Sequence, residues 1–350
     1  MAELYFKLVE YIEKFPSSIS YENNHIILKF QAGKSTAEVS RIISEMYMKG
    51  TLLKDFSLHT NNISACLDDS AIDRVKCRGI LYEIQLNRIV YKYKNDRHAE
   101  NYTIINLPPE QIEGLSKESS PKIVNALGVE IIFGYIDDIK TSILCPKNLQ
   151  SILVSLISLY YCCPIEILLE SKNGDDKNHT EYILRSQNRT FEDNGSRINL
   201  YCKTNSVIEF IQIANTGHPH IQDLPRYVRQ FIDSFVVSEP QRFNMLFAMA
   251  SSFAEYVLGK EKQGGGNLVG KTISHFHIEG LDKIKDIISH AKLTRNGKDI
   301  STLADLRNEC EHNLYSDASY EFFDNNPSVN VFMYDIACKI VMELAGIKIG

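Results

Sequence analysis

Three residues near the end of the chain have the types and spacing for acid–base work on a phosphodiester: Arg307, Asn308 and His312. Cutting RNA without a metal means removing a proton from a 2′-hydroxyl, attacking the adjacent phosphorus in line, and stabilising the negative charge that develops there. An imidazole exchanges protons near neutrality, which suits His312 to the transfer. A guanidinium is permanently charged and planar, which suits Arg307 to bidentate phosphate stabilisation. Asn308 and His312 stand at i,i+4 and share a helix face, whereas Arg307 and His312 are about 140° apart around the axis. The same residues have a plainer use: Arg307 with Glu311 as a surface ion pair, and His312 as a cation at a helix C-terminus. Glu309 and Glu311 would repel RNA phosphates.

The stretch "LRNECEHNLYS" lies near the end of an expected helix, just before a terminal one, within a helical region of about 125 residues. It resembles the motif of HEPN ribonucleases, an Arg followed by a polar residue, with a His a few positions on. The resemblance covers roughly the last third of the chain. It implies a helical bundle, catalysis by Arg307, Asn308 and His312 with no metal or cofactor, and cleavage to a 2′,3′-cyclic phosphate and a 5′-hydroxyl. It also implies a homodimer through the helical domain, in which two motifs face one cleft. Two small α+β units ahead of such a domain are similar in layout to bacterial messenger-RNA-cleaving toxins restrained by an antitoxin, and to antiphage defence proteins. The partners implied are an RNA substrate and an antitoxin or phage-derived trigger. A catalytically inactive binding or regulatory protein of the same fold is the contrasting reading.

RNA needs further holding groups. Lys283, Lys285, Lys292, Arg295 and Lys298 form a basic run, Tyr315 offers a ring for base stacking, and the run reads equally as a solvated helix face. Residues 221–350 hold 14 Lys and Arg against 17 Asp and Glu, and the whole chain carries a formal net charge of −6, so any contact with nucleic acid must use a local patch.

A third chemistry is spelled by "GGGNLVGKT", which has the letters of a phosphate-binding loop and makes Gly265, Gly270, Lys271 and Thr272 candidates for a nucleotide hydrolase. A working loop follows a buried strand, and the segment before this one has helical period. The plainer reading is a flexible glycine connection between helices. The pairs His218/His220 and His275/His277 are two apart and lack placed partners, so they read as structural. The eight cysteines show no paired zinc spacing and read as reduced packing residues.

These groups must be positioned by a fold of α+β class: N-terminal mixed α/β-sheet modules over 1–116 and 122–216, joined by "SKESSPK", then an all-α bundle over 221–350. The first sixteen or so residues, with Leu4, Leu8, Tyr11 and Ile12 at helical spacing, predict a helix. "HIILKF" predicts a strand. Ser35 and Glu38 make a capping box for a helix with Val39, Ile42, Ile43 and Met46 on one face, stopped by Gly50. From 51 to 106 period-two patterning predicts an antiparallel sheet. "VEIIFGYI", "IEILLE", "YILRSQ", "RINLYC" and "SVIEFIQIA" predict further strands, and "NLQSILVSLISLYY" a helix. Everything after "NTGHPHIQDLP" has the three-to-four period; the last helix is framed by Asn326, Pro327 and Gly346. No apolar run reaches membrane-spanning length, and the opening residues carry charges where a signal peptide would be apolar, so the expected location is cytoplasmic.

Overall fold

The computed structural model describes residues 2–7, 12–23, 25–32, 37, 39–41, 43–44, 56–59, 63–66, 72–94, 101–173, 179–187, 189–192, 202–259, 265–295, 297–312 and 317–348. The fold is α+β, with strands in the N-terminal part and helices in the C-terminal part.

Contacts divide the chain into two compact units. The first takes residues 1–124, 130–150 and 165–191. Its strands are β1 (Ala2–Lys7), β2 (Ile12–Glu22), β3 (His25–Gln31), β4 (Phe56–His59), β5 (Ile63–Cys66), β6 (Ile72–Arg78), β7 (Leu81–Leu86), β8 (Arg88–Lys94), β9 (Tyr102–Ile105), β10 (Lys122–Ala126), β11 (Val129–Asp137), β12 (Lys140–Leu144), β13 (Ile167–Asn173) and β14 (His179–Arg185). All join one 14-stranded sheet in the order β10-β11-β12-β9-β13-β14-β8-β5-β4-β1-β2-β3-β7-β6. Strands from both sides of the 116–122 segment therefore share one sheet. Only the bent residue Asn87 separates β7 from β8. Pairings run from β7 through β3, β2, β1, β4 and β5 to β8, a circuit that returns to the same stretch of chain.

Period-two burial is plain where it was expected. Ile26, Leu28 and Phe30 of β3 face Tyr82, Ile84 and Leu86 of β7 inside the unit, with Phe30 stacked on Tyr82 at 5.2 Å. Ser186 holds the bend: its hydroxyl accepts from the Ile26 N–H at 3.0 Å and donates to the Leu86 carbonyl at 2.5 Å.

The N-terminal helix is corrected to strand: β1 pairs with both β2 and β4, and two ladders satisfy backbone groups better than one short charged helix could. Of the capped helix, the described positions 37, 39–41, 43 and 44 are helical, with Val39 and Ile43 buried. Ser35, Glu38, Ile42, Met46 and Gly50 lie outside the described residues, as does most of "RINLYC".

The second unit takes residues 125–129, 151–164 and 192–350. It holds most of α1 (Lys147–Tyr161), then α2 (Val207–Ile213), α3 (Leu224–Asp233), α4 (Glu239–Ser252) continuing into a π-helical turn at Phe253–Val257, α5 (Gly265–His275), α6 (Leu281–His290), α7 (Leu303–His312), α8 (Asp317–Asn325) and α9 (Ser328–Leu344). Helix α9 is apolar nearly all round and is the core of the unit: Met333, Ile336, Ala337, Cys338, Ile340 and Val341 are fully buried. Gly346 ends it at φ +66°, with the Gly346 and Ile347 N–H groups bonded back to Glu343 and Met342. A side chain on Gly346 would meet Asn215, so glycine is required there twice over.

Two further expectations are corrected. "SVIEFIQIA" is helix α2 rather than a strand, because Ser206 accepts from the Glu209 N–H at 3.2 Å while Glu209 accepts from the Asn205 N–H at 2.7 Å. Residues beyond 221 are not helical throughout: β15 (Thr294–Arg295) and β16 (Lys298–Asp299) form a hairpin whose turn uses Gly297 at φ +73°.

Candidate functional site

Helix α7 is built to show one face and bury the other. Thr302 caps it, accepting from the Asp305 N–H at 3.1 Å, while Asp305 accepts from the Thr302 N–H and hydroxyl at 3.2 and 2.7 Å. Leu303, Leu306, Glu309 and Cys310 are buried, and Arg307, Asn308, Glu311 and His312 lie toward solvent. Taking about 100° per residue from Ala304, Arg307, Asn308, Glu311 and His312 all fall within about 80° of that position. One helix face therefore carries the whole motif.

The pairing within that face is specific. Arg307 donates through Nη2 to Glu311 at 3.0 Å and through Nη1 to Asn308 Oδ1 at 3.2 Å, and Nη1 also contacts the other Glu311 oxygen. The side chains of Arg307 and Glu311 are 36% and 45% exposed, so both remain open to an incoming phosphate. Glu311 sits between Arg307 and His312 on the face, and it occupies the guanidinium that catalysis would use. Glu309 is 8% exposed and lies on the buried side of α7, away from this face. Cys310 is buried, and its thiol is pushed up to about 12, first by burial and then by the Glu309 charge. That thiol is a packing group.

The basic run is not one patch. Lys283 and Lys285 are exposed on α6 but about 200° apart around its axis. Lys292 follows α6 in a left-handed conformation, φ +52°. Arg295 and Lys298 are cross-strand partners in the hairpin. Tyr315 lies outside the described residues.

The glycine motif is neither a phosphate loop nor a flexible connection. Residues Gly265–His275 form α5, and the elements before it are α4 and its π-helical turn, not the buried strand that a phosphate loop follows. Thr272 is fully buried with its hydroxyl turned to the Ala250 carbonyl at 2.8 Å, out of reach of a magnesium ion at the surface. Gly266 permits the close approach of α5 to α7: a Cβ there would stand 2.8 Å from Ala304 Cβ. His275 binds Glu343 of α9 at 2.8 Å and His220 binds Asp223 at 3.3 Å, both structural uses.

The sequence reading missed a cleft of ≈ 1050 Å³ in which α5, α6 and the first turn of α7 meet. Lys271 and Lys285 line it, with Asn267, Ser274 and Ala304. The i,i+4,i+7 spacing of Asn267, Lys271 and Ser274 was a readable signal, hidden because the segment read as a loop. No family model, curated protein or solved structure matches this chain. Among the described residues no helix is long and apolar enough to cross a membrane.

Proposed function

We propose that the protein is a metal-independent endoribonuclease of HEPN type, acting in the cytoplasm as a toxin or antiphage effector. The observation that carries the reading is the gathering of Arg307, Asn308 and His312 on the solvent-facing side of α7, opposite the buried Leu303, Leu306, Glu309 and Cys310. His312 takes the proton of the 2′-hydroxyl, O2′ attacks phosphorus, and the P–O5′ bond breaks with a proton delivered to O5′. Arg307 balances the extra charge on the non-bridging oxygens. Asn308, already bonded to Arg307, holds the guanidinium in place. Arg307 and His312 are about 140° apart, so one copy does not bring both onto one phosphate, and a homodimer supplies the Arg and the His of each site from different chains.

Purified protein incubated with RNA in EDTA tests this. The wild type should leave 2′,3′-cyclic phosphate ends, and Arg307→Ala and His312→Ala should each lower the rate at least about a hundredfold. Intact RNA with the wild type, in the presence and absence of a cellular trigger extract, would overturn it.

A further inference from the structure

We propose that the cleft between α5, α6 and α7 is the track on which single-stranded RNA phosphates are held before they reach the α7 strip. This rests on the ribonuclease reading and names where its substrate binds. The lining carries two ammonium groups, Lys271 and Lys285, and no Asp or Glu, in a unit where acids outnumber bases. Among the described residues Lys271 makes no ion pair, and Lys285 meets only the 95%-exposed Asp282, at 3.3 Å. Neither cation is committed to the fold. Asn267 stands on the Lys271 face of α5 as a neutral amide donor, while the Ser274 hydroxyl beside it donates to the Gly270 carbonyl at 2.9 Å.

The cleft ends at the first turn of the helix that carries the motif. Ala304 closes its α7 end, and Arg307, Asn308, Glu311 and His312 follow Ala304 on the same helix face over about 12 Å of axis. In this proposal the strand held by Lys271 and Lys285 leaves the cleft past Ala304 and passes to that face. The N-terminus of α7 is already capped by Thr302, with Asp305 accepting from the Thr302 N–H, so the lysines supply the attraction.

The test measures binding of a fluorescent 2′-O-methyl oligoribonucleotide, which cannot be cut by 2′-hydroxyl attack, by anisotropy across a salt series. Lys271→Ala/Lys285→Ala should lower the slope of log K against log salt by about 1.4, two single-strand phosphate contacts, and weaken binding at least about tenfold at 0.1 M salt. Lys271→Arg/Lys285→Arg should bind as wild type, and so should Lys117→Ala/Lys147→Ala, which removes two exposed lysines of the other unit. Unchanged affinity and slope in the cleft variant, an equal loss in the Lys117/Lys147 variant, or a wild type that binds ATP but not the oligonucleotide would each overturn the proposal. Binding as described with no cleavage of ordinary RNA would leave the track standing and sink the nuclease. Cleavage with binding indifferent to the cleft lysines would do the reverse.

Discussion

Glu311 is the residue on which the active strip turns. It neutralises Arg307 in the resting protein, as an exposed i,i+4 pair worth about 0.3–0.5 kcal/mol, too little to hold the fold but enough to compete with phosphate. Glu311→Gln should therefore raise affinity for the uncleavable oligonucleotide several-fold while moving the urea midpoint hardly at all; weaker binding would show that the carboxylate helps rather than hinders. Cysteine behaviour is the second expectation at this scale. Cys145 and Cys310 are buried with thiols pushed up to about 12, whereas Cys77 is exposed. Iodoacetamide at pH 8 should label Cys77 in the native protein and spare the other two, read by peptide mass; alkylated Cys310 would mean that α7 opens. The identities of Arg307, Asn308 and His312 were legible because their types and spacing are a chemical pattern. The Arg307–Glu311 pair stood as the plainer alternative, and the geometry contains it. The shared face of Asn267, Lys271 and Ser274 becomes legible only once the segment is read as helix, and the approach of Lys285 from α6 has no local signature.

Within α5, two glycines have opposite effects on stability. Gly266 lies against Ala304, so Gly266→Ala must push α5 away from α7 and should cost about 1–3 kcal/mol. Gly270 is helical, and a Cβ added to it would meet nothing within 4 Å, so Gly270→Ala should stabilise by about 0.5–1 kcal/mol through helix propensity. Urea unfolding separates the two signs, and a phosphate loop would have required Gly270 but not Gly266. The segment was misread because three successive glycines outweigh a helical pattern in any local reading, while burial of Leu268, Val269 and Thr272 against α4 decides the outcome. The same competition explains β1 and β2, whose helical spacing lost to strand pairing. The helix α2 error was of another kind: Ser206 and Glu209 spell a capping box that β-branched neighbours obscured. Elements with long, strong periods, α1, α9, β3 and β7, stood where the sequence placed them.

At the scale of the whole molecule, a chain of net charge −6 repels RNA except where cations gather, so the site must be both local and complete. The proposed site is local on α7 and incomplete within one copy, because Arg307 is held by Glu311 on one side of the strip and His312 stands on the other. A two-fold dimer resolves this if each site takes its Arg from one chain and its His from the other. Arg307→Ala and His312→Ala chains, each inactive alone, should then regain activity when unfolded together and refolded as a mixture. Half of the dimers formed from equal amounts are mixed, and each mixed dimer holds one intact site of two, so recovery should approach about a quarter of the wild-type rate. Sedimentation of the mixture reports whether dimers formed. Dimers with no recovered cleavage would place Arg307 and His312 of the same chain on one phosphate, which α7 could allow only by loosening its last turn. Recovery near a quarter would make assembly itself the step that arms the enzyme, and would give any restraining partner an obvious point of attack on the α7 face.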